Sequence, residues 1–416
     1  MSSPSLASCV LGPIFLRFCY ELRLHQETYQ GRHAKALFAT RGGTRLKFLY
    51  EAYLAGQEIA APCPQVDFYA SRMAVAGGCL IDDYASVAAI ILGEFPDASL
   101  RDVVEALLPD ERIARLNERG SLEKLAEICA GEGSLSKIVD EKHRDADVLF
   151  DYFKQQSMHL DAYIDELLTA DQIENVLLVD TGWSGSTQLM LMRRYPNFNW
   201  QGHYFGCYNY GKPAPEHFAN IVGLVCEGGP SWRRPESAIF MHRHLVEGPC
   251  EARAPSVSGY RRGESGKIEP IGGAFDDNVV EPDGDETVFA EILDYVRSQP
   301  KGLLPGKIIS DANRAGRRLW RTILVPSPGD VDDLLIAPRS ADFGRSVSAP
   351  VVHPACRNGR LPERLGNIRT ALWRQGQIAR EFPRLRLILQ IAYIILTRRT
   401  VKRLRGLPRR LAKFSL

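Results

Sequence analysis

Apolar positions along this chain follow two rhythms, and the switches between them outline its elements. From Ser8 to about Glu27 they recur at helical spacing and predict a buried helix. Residues 34–39 form a short apolar run that breaks at Thr40, Arg41, Gly42 and Gly43, and a helical pattern over 44–54 follows at once. Strand, glycine turn and helix in that order make the first half of a βα unit. Residues 66–72 predict a second strand with a polar end, and 84–168 are helical almost throughout, with Ser99 and Ser121 as N-caps before acidic first turns. The run 175–179 is continuously apolar, the pattern of a parallel strand buried on both faces. A helix over 186–194 follows it, then strands over 202–208 and 220–226 and a short helix over 238–246 that leads into Glu247. Residues 263–287, rich in Gly, Pro and Asp, predict a surface hairpin or insertion, and helices are predicted over 288–298, 310–322 and 363–380. Strands separated by helices imply an α/β fold with a mainly parallel sheet. One large domain over 1–380, with a helical insertion at about 84–168, is followed by a basic C-terminal helix over 381–416.

Composition changes this picture little. A hydrophobic content of 45% with 25% charged residues is that of a folded globular protein, so disorder is not the default. The nine cysteines include no CxxC pair, which argues against a zinc site or a disulfide framework and for reduced thiols in a cytosolic protein. Arg17, Glu21 and Arg23 interrupt the first apolar stretch, so it reads as a helix of the fold and not an export signal.

The candidate chemistry gathers at Asp180, Thr181, Gly182, Trp183, Ser184, Gly185, Ser186 and Thr187. Asp180 stands where the apolar run stops, at the carboxyl end of a central strand, where open α/β sheets bind ligands. Gly182 and Gly185 allow a tight turn and close backbone approach, Ser184, Ser186 and Thr187 bring hydroxyls, and the next helix aims its positive end at the same point. That is a cradle for a phosphate with an acid beside it, for a sugar hydroxyl or a metal ion. It is no Walker loop, because no Lys follows the last glycine. The same residues also suit a purely structural turn whose hydroxyls cap the helix. Trp183 is either a ring against a sugar or a hydrophobic plug over the turn, and packing favours the plug.

The order of residues around Asp180 resembles the ribose-phosphate loop of phosphoribosyltransferases, with Thr181 in place of a second acid and one residue fewer. A closer resemblance runs over most of 10–260. Gly12 and Pro13, the stretch from Phe38 to Gly43, Ser71 and Arg72, the 179–185 turn with Gln188, and Glu247 ahead of 256–260 occur in the order found in a glycan phosphoribosyltransferase module. That module accompanies haloacid-dehalogenase-type phosphatase domains in bacterial polysaccharide gene clusters. The resemblance implies transfer of 5-phosphoribose from phosphoribosyl diphosphate, with Mg²⁺, to a lipid-linked glycan acceptor, after which a separate phosphatase removes the 5-phosphate. It implies that Asp180 holds the ribose hydroxyls or the metal and that the 182–187 turn takes the 5-phosphate. Arg41, Gly42, Gly43 and Arg72 would face the pyrophosphate, and Glu247 would serve as base for the acceptor hydroxyl. Gly42 stands where the family carries Asp, and the chain has no phosphatase nucleophile motif. Two other readings follow from those departures: a degenerate, non-catalytic module that binds glycan or partner enzymes, and a dehalogenase-type hydrolase, which the missing nucleophile disfavours.

Charge adds one further element. From Arg384 onward there are ten Lys and Arg and no acid, which leaves the body at net −8 although the whole chain is +2. Such a body predicts no nucleic-acid partner, whereas the tail is drawn to anionic surfaces. Residues 385–396 are apolar apart from Arg386 and Gln390, too short to span a bilayer, which needs about 20 residues. The pattern predicts an interfacial helix, the alternative being a core helix with a solvated basic end, and the resemblance implies that its surface is the inner face of the cytoplasmic membrane, where lipid-linked glycans are built.

Overall fold

The computed structural model describes residues 5–40, 42–95, 98–169, 171–209, 215–228, 235, 239–240, 242–250, 256–272, 287–333, 339–340, 348–356 and 358–404. Five parallel strands form the central sheet: β1 (Ala34–Ala39), β2 (Gln65–Phe68), β3 (Asn175–Asp180), β4 (Asn199–Cys207) and β5 (Ile221–Glu227), in the order β2-β1-β3-β4-β5. The apolar runs of β1 and β3 lack alternation because both faces of the sheet are covered. Ala36 and Phe38 point into one core with Leu177 and Val179, while Leu37 joins Leu178 and Val176 in the other.

The first core is closed by α1 (Gly12–Glu27), which continues a π-helical turn at Ala7–Leu11, and by α2 (Gly42–Gln57). The second is closed by α3 (Arg72–Cys79) and the insertion, which carries α4 (Tyr84–Glu94), α5 (Leu100–Leu107), α6 (Asp110–Glu118), α7 (Ser121–Ala126), α8 (Glu132–Ile138) and α9 (Phe150–Ile164). Helix α10 (Ser186–Arg194) packs on the same side. After α11 (His244–Cys250), a hairpin of β6 (Gly259–Arg262) and β7 (Ile268–Ile271) rests against α9, and α12 (Thr287–Arg297) and α13 (Pro305–Leu324) return to the first core. The later described helices are α14 (Pro328–Asp333), α15 (Leu361–Thr370), α16 (Arg374–Glu381) and α17 (Arg386–Leu404). The α/β class and the parallel sheet are as the pattern predicts.

Several boundaries differ, each for a local reason. The strand predicted over 66–72 stops at Phe68, because the Ser71 hydroxyl accepts the Ala74 N–H at 3.0 Å and starts α3, so Arg72 is helical. Ser99 caps α5 in a capping box with Asp102, as expected. Ser121 is not a cap: Gly120, at φ +62°, takes that place, and the buried Ser121 hydroxyl accepts a bond from Arg144. The helix predicted over 238–246 lies at His244–Cys250, so Glu247 is inside it and not beyond it. The hairpin begins at Gly259, earlier than the predicted 263, and 273–286 lie outside the described residues. Helix α13 begins before the predicted 310, with Pro305 in the first turn, where a missing N–H costs nothing. The single helix predicted over 363–380 is two, because Leu372 and Trp373 turn their amides to the Pro350 and Val351 carbonyls and the Trp373 ring is buried.

Candidate functional site

The strand order reverses direction between β1 and β3: the chain runs outward from β1 to β2, then returns to the far side of β1. At such a switch point the following loops diverge and leave a crevice beyond the carboxyl ends of the strands. A cavity of about 390 Å³ lies there. It gathers Gly42, Arg72, Asp180, Thr181, Gly182, Gly185, Ser186, Thr187 and Glu247, residues from segments far apart in sequence.

Asp180 is the last residue of β3, and its Oδ1 accepts the Thr181 N–H at 2.7 Å. Burial pushes its carboxyl up to about 7, and the charge of Glu247 pushes the same way, against the opposing pull of the Thr181 amide and the Arg72 guanidinium. A carboxyl that exchanges its proton near neutrality suits acid or base work in a cleft. Thr181 is itself buried, and its carbonyl accepts the Gly206 N–H at 3.3 Å, which ties the turn to β4.

The turn ends at Gly185, at φ +65°, which caps α10. A side chain there would strike Ile221 and His217, so the loop is drawn tight against β5. The His217 ring nitrogen lies 2.7 Å from the Ser184 carbonyl and holds it away from the cavity. Ser186 opens α10 with its Oγ buried and without a partner among the described residues. Ser186 and Thr187 line the cavity, the first-turn amides of α10 have no intrahelical acceptor, and the Ser186 Oγ is itself closed off from solvent.

Three predicted site residues do other work. Gly43 is absent from the lining: a Cβ there would lie 2.9 Å from the Phe38 carbonyl carbon and 3.1 Å from the Val179 oxygen, so this glycine lets α2 approach β1 and β3. Ser184 contributes its carbonyl to His217 and is not in the lining. Trp183 is the plug: 4% exposed, its ring sits in the first core edge-on to Phe240 at 5.4 Å, not against the cavity. Its indole Nε1 donates to Glu247 Oε1 at 2.6 Å and so orients a carboxylate that does line the site. Trp183→Phe preserves most of the packing and removes that bond. Denaturant melts are expected to show a loss of about 1–2 kcal/mol, and an unchanged midpoint would mean that the bond contributes nothing.

Gly42 faces the acid directly: a Cβ on it would sit 3.4 Å from Asp180 Oδ1 and 3.0 Å from Thr181 Cγ2. Arg72, in the first turn of α3, lines the cavity and pairs with Glu94. Arg41 lies outside the described residues. Two lining segments were not among the site residues named from the sequence. Glu105, Ala106 and Leu108, at the end of α5, and Ser256, Val257 and Ser258, before β6, also line the cavity. The Ser71 hydroxyl fastens the second segment by donating to the Val257 carbonyl at 2.6 Å. Residues 256–260 figure in the family resemblance, whereas nothing in the periodicity of α5 marks its end as part of a site.

Mg²⁺ typically takes one or two carboxylates, several waters and substrate phosphates, not a closed protein cage. Asp180 and Glu247 fit that donor set, and no group of three or more His, Cys, Asp or Glu among the described residues is placed to hold an ion alone. Compared with known proteins, the chain matches no family model, and no curated protein matches it significantly.

Proposed function

We propose that this protein transfers a 5-phosphoribosyl group from phosphoribosyl diphosphate to a hydroxyl of a bacterial surface glycan, and that its fold is phosphoribosyltransferase-like. The observation that carries the reading is the meeting, in one cavity, of the glycine turn at the start of α10 with the acids Asp180 and Glu247. The turn would receive the 5-phosphate on α10. Asp180 would hold the ribose hydroxyls, and Arg72, with Arg41 and the Gly42 amide, would neutralise the diphosphate. In the transfer the C1–oxygen bond to diphosphate breaks, the electron pair leaves with the diphosphate, and a bond from the acceptor oxygen to C1 forms. The acceptor proton passes to Glu247, whose position the Trp183 indole sets. Bound Mg²⁺ would offset charge on the departing diphosphate. Removal of the 5-phosphate is left to a separate phosphatase, and the acceptor would be lipid-linked.

Calorimetry with phosphoribosyl diphosphate, with and without Mg²⁺, tests the reading on wild-type protein and on Asp180→Asn. Binding that strengthens with Mg²⁺ and weakens at least about tenfold in the variant is expected, a loss of roughly 1.4 kcal/mol. Absence of binding in both would overturn it. Gly42, which leaves the position facing Asp180 without an acid, favours a second reading, a module that binds the donor without turnover. Donor binding with no transferred product would select that one.

A further inference from the structure

Helix α17 turns its faces opposite to those of an ordinary surface helix. Its polar side chains at 386, 390 and 393 face the body. Gln390 is fully buried and donates Nε2 to the Pro326 and Gln375 carbonyls at 3.1 and 3.0 Å. One turn earlier, Arg386 donates to the Pro326 carbonyl at 3.1 Å, and about one turn later the Tyr393 hydroxyl accepts from Arg374 at 3.3 Å. These contacts set the rotation of the helix. The opposite side carries Ile388, Ile391 and Ile395, which are 68, 50 and 47% exposed, while Leu387 at its edge and Leu385 just ahead are 51 and 54% exposed. Positions 388, 391 and 395 fall on one stripe at helical spacing, and a contiguous apolar stripe held outward marks an interaction surface.

The charge that follows says what covers it. The helix continues to Leu404 through Arg398, Arg399, Lys402 and Arg403, and no acid occurs from Arg384 onward. An apolar stripe running into a wholly cationic segment is complementary to the boundary between acyl chains and anionic headgroups. No helix among the described residues is long and apolar enough to cross a membrane, so the element would lie along such a surface. We propose that α17 seats the protein on an anionic lipid bilayer, with the stripe at 388, 391 and 395 in the acyl boundary and the basic end on the headgroups. Because it involves α17 alone, this attachment is independent of the transfer chemistry.

The test is cosedimentation of the full chain with vesicles of phosphatidylcholine alone and of an equal mixture with phosphatidylglycerol. Binding to the mixed vesicles only is expected, with a fall in partitioning of at least about tenfold in Ile388→Asp/Ile391→Asp. Both positions are exposed, so the thermal melt of that variant should match wild type. A second variant, Arg398→Gln/Arg399→Gln, keeps the stripe and should weaken binding to the anionic vesicles through charge alone. Equal binding by wild type and the aspartate variant would overturn the proposal, as would failure of wild type to bind. So would a dimer in sedimentation velocity that the aspartate variant dissolves, since it would assign the stripe to a second copy of the chain.

Discussion

Asp180→Asn is expected to melt at a higher temperature than the wild type at pH 8, with the difference shrinking towards pH 5. The carboxyl ionises with a pKa of about 7 in the folded protein, against an ordinary value of 3.8. Between those values the native state holds the proton that the unfolded chain has released. Stability therefore falls as pH rises from about 4 through 7, the reverse of a salt-bridged carboxylate. While the two states differ by one bound proton, each pH step of one is worth about 1.4 kcal/mol. The wild type should thus lose roughly 3 kcal/mol from this group between pH 5 and pH 8, most of it below pH 7. Asn keeps an oxygen to accept the Thr181 N–H and carries no charge, so it adds no slope over that range and the difference between the two profiles isolates Asp180. On the proposed function the same substitution should abolish transfer, because an amide supplies no negative charge for a cation or for the sugar cation that forms. Greater stability with lost activity is the signature of a group kept for function at a cost to the fold. Melts of both proteins from pH 5 to pH 8 check the prediction, and parallel profiles would show that Asp180 is ionised throughout.

Gly182→Ala is expected to be the most damaging single-methyl change in the turn. The backbone at Gly182 sits at φ +115°, a region that side chains avoid, and an added Cβ would lie 2.1 Å from the Gly206 carbonyl oxygen. The obstacle is backbone, and the Thr181 carbonyl and Gly206 amide already hold the turn to β4, so neither side can withdraw without opening the sheet. Strain and overpacking together should cost roughly 3–5 kcal/mol. Gly228 provides the control. Its φ is +105°, yet nothing lies within 4 Å of an added Cβ, so Gly228→Ala should cost only the conformational strain, about 1–2 kcal/mol. Denaturant unfolding of the two variants separates the terms, and equal losses would show that the contact with Gly206 is relieved at little cost.

What the chain dictates locally was legible in it. Both strands that carry the site, 34–39 and 175–179, are apolar without alternation because helices cover both faces of the sheet, and that signature needs no knowledge of partners. The placement of Asp180 at a strand tip, the start of α10 and the capping box at Ser99 likewise follow from short-range geometry. The plug role favoured for Trp183 is the one it takes, because a ring that large is most stable in a core. Tertiary structure alone decided what depends on distant neighbours. Only the strand order sets β1 beside β3 and so brings Gly42 against Asp180. The bond from Trp183 to Glu247, and the cavity walls from α5 and residues 256–258, join segments that no periodicity connects. The break after α15 arises because Trp373 finds a buried place and its amide a partner at Val351. On α17 the sequence shows an apolar helix with two polar interruptions, a pattern equally suited to either orientation. The carbonyls of Pro326 and Gln375 decide between them by accepting the buried Gln390 Nε2, and with that side inward Ile388, Ile391 and Ile395 stand outward.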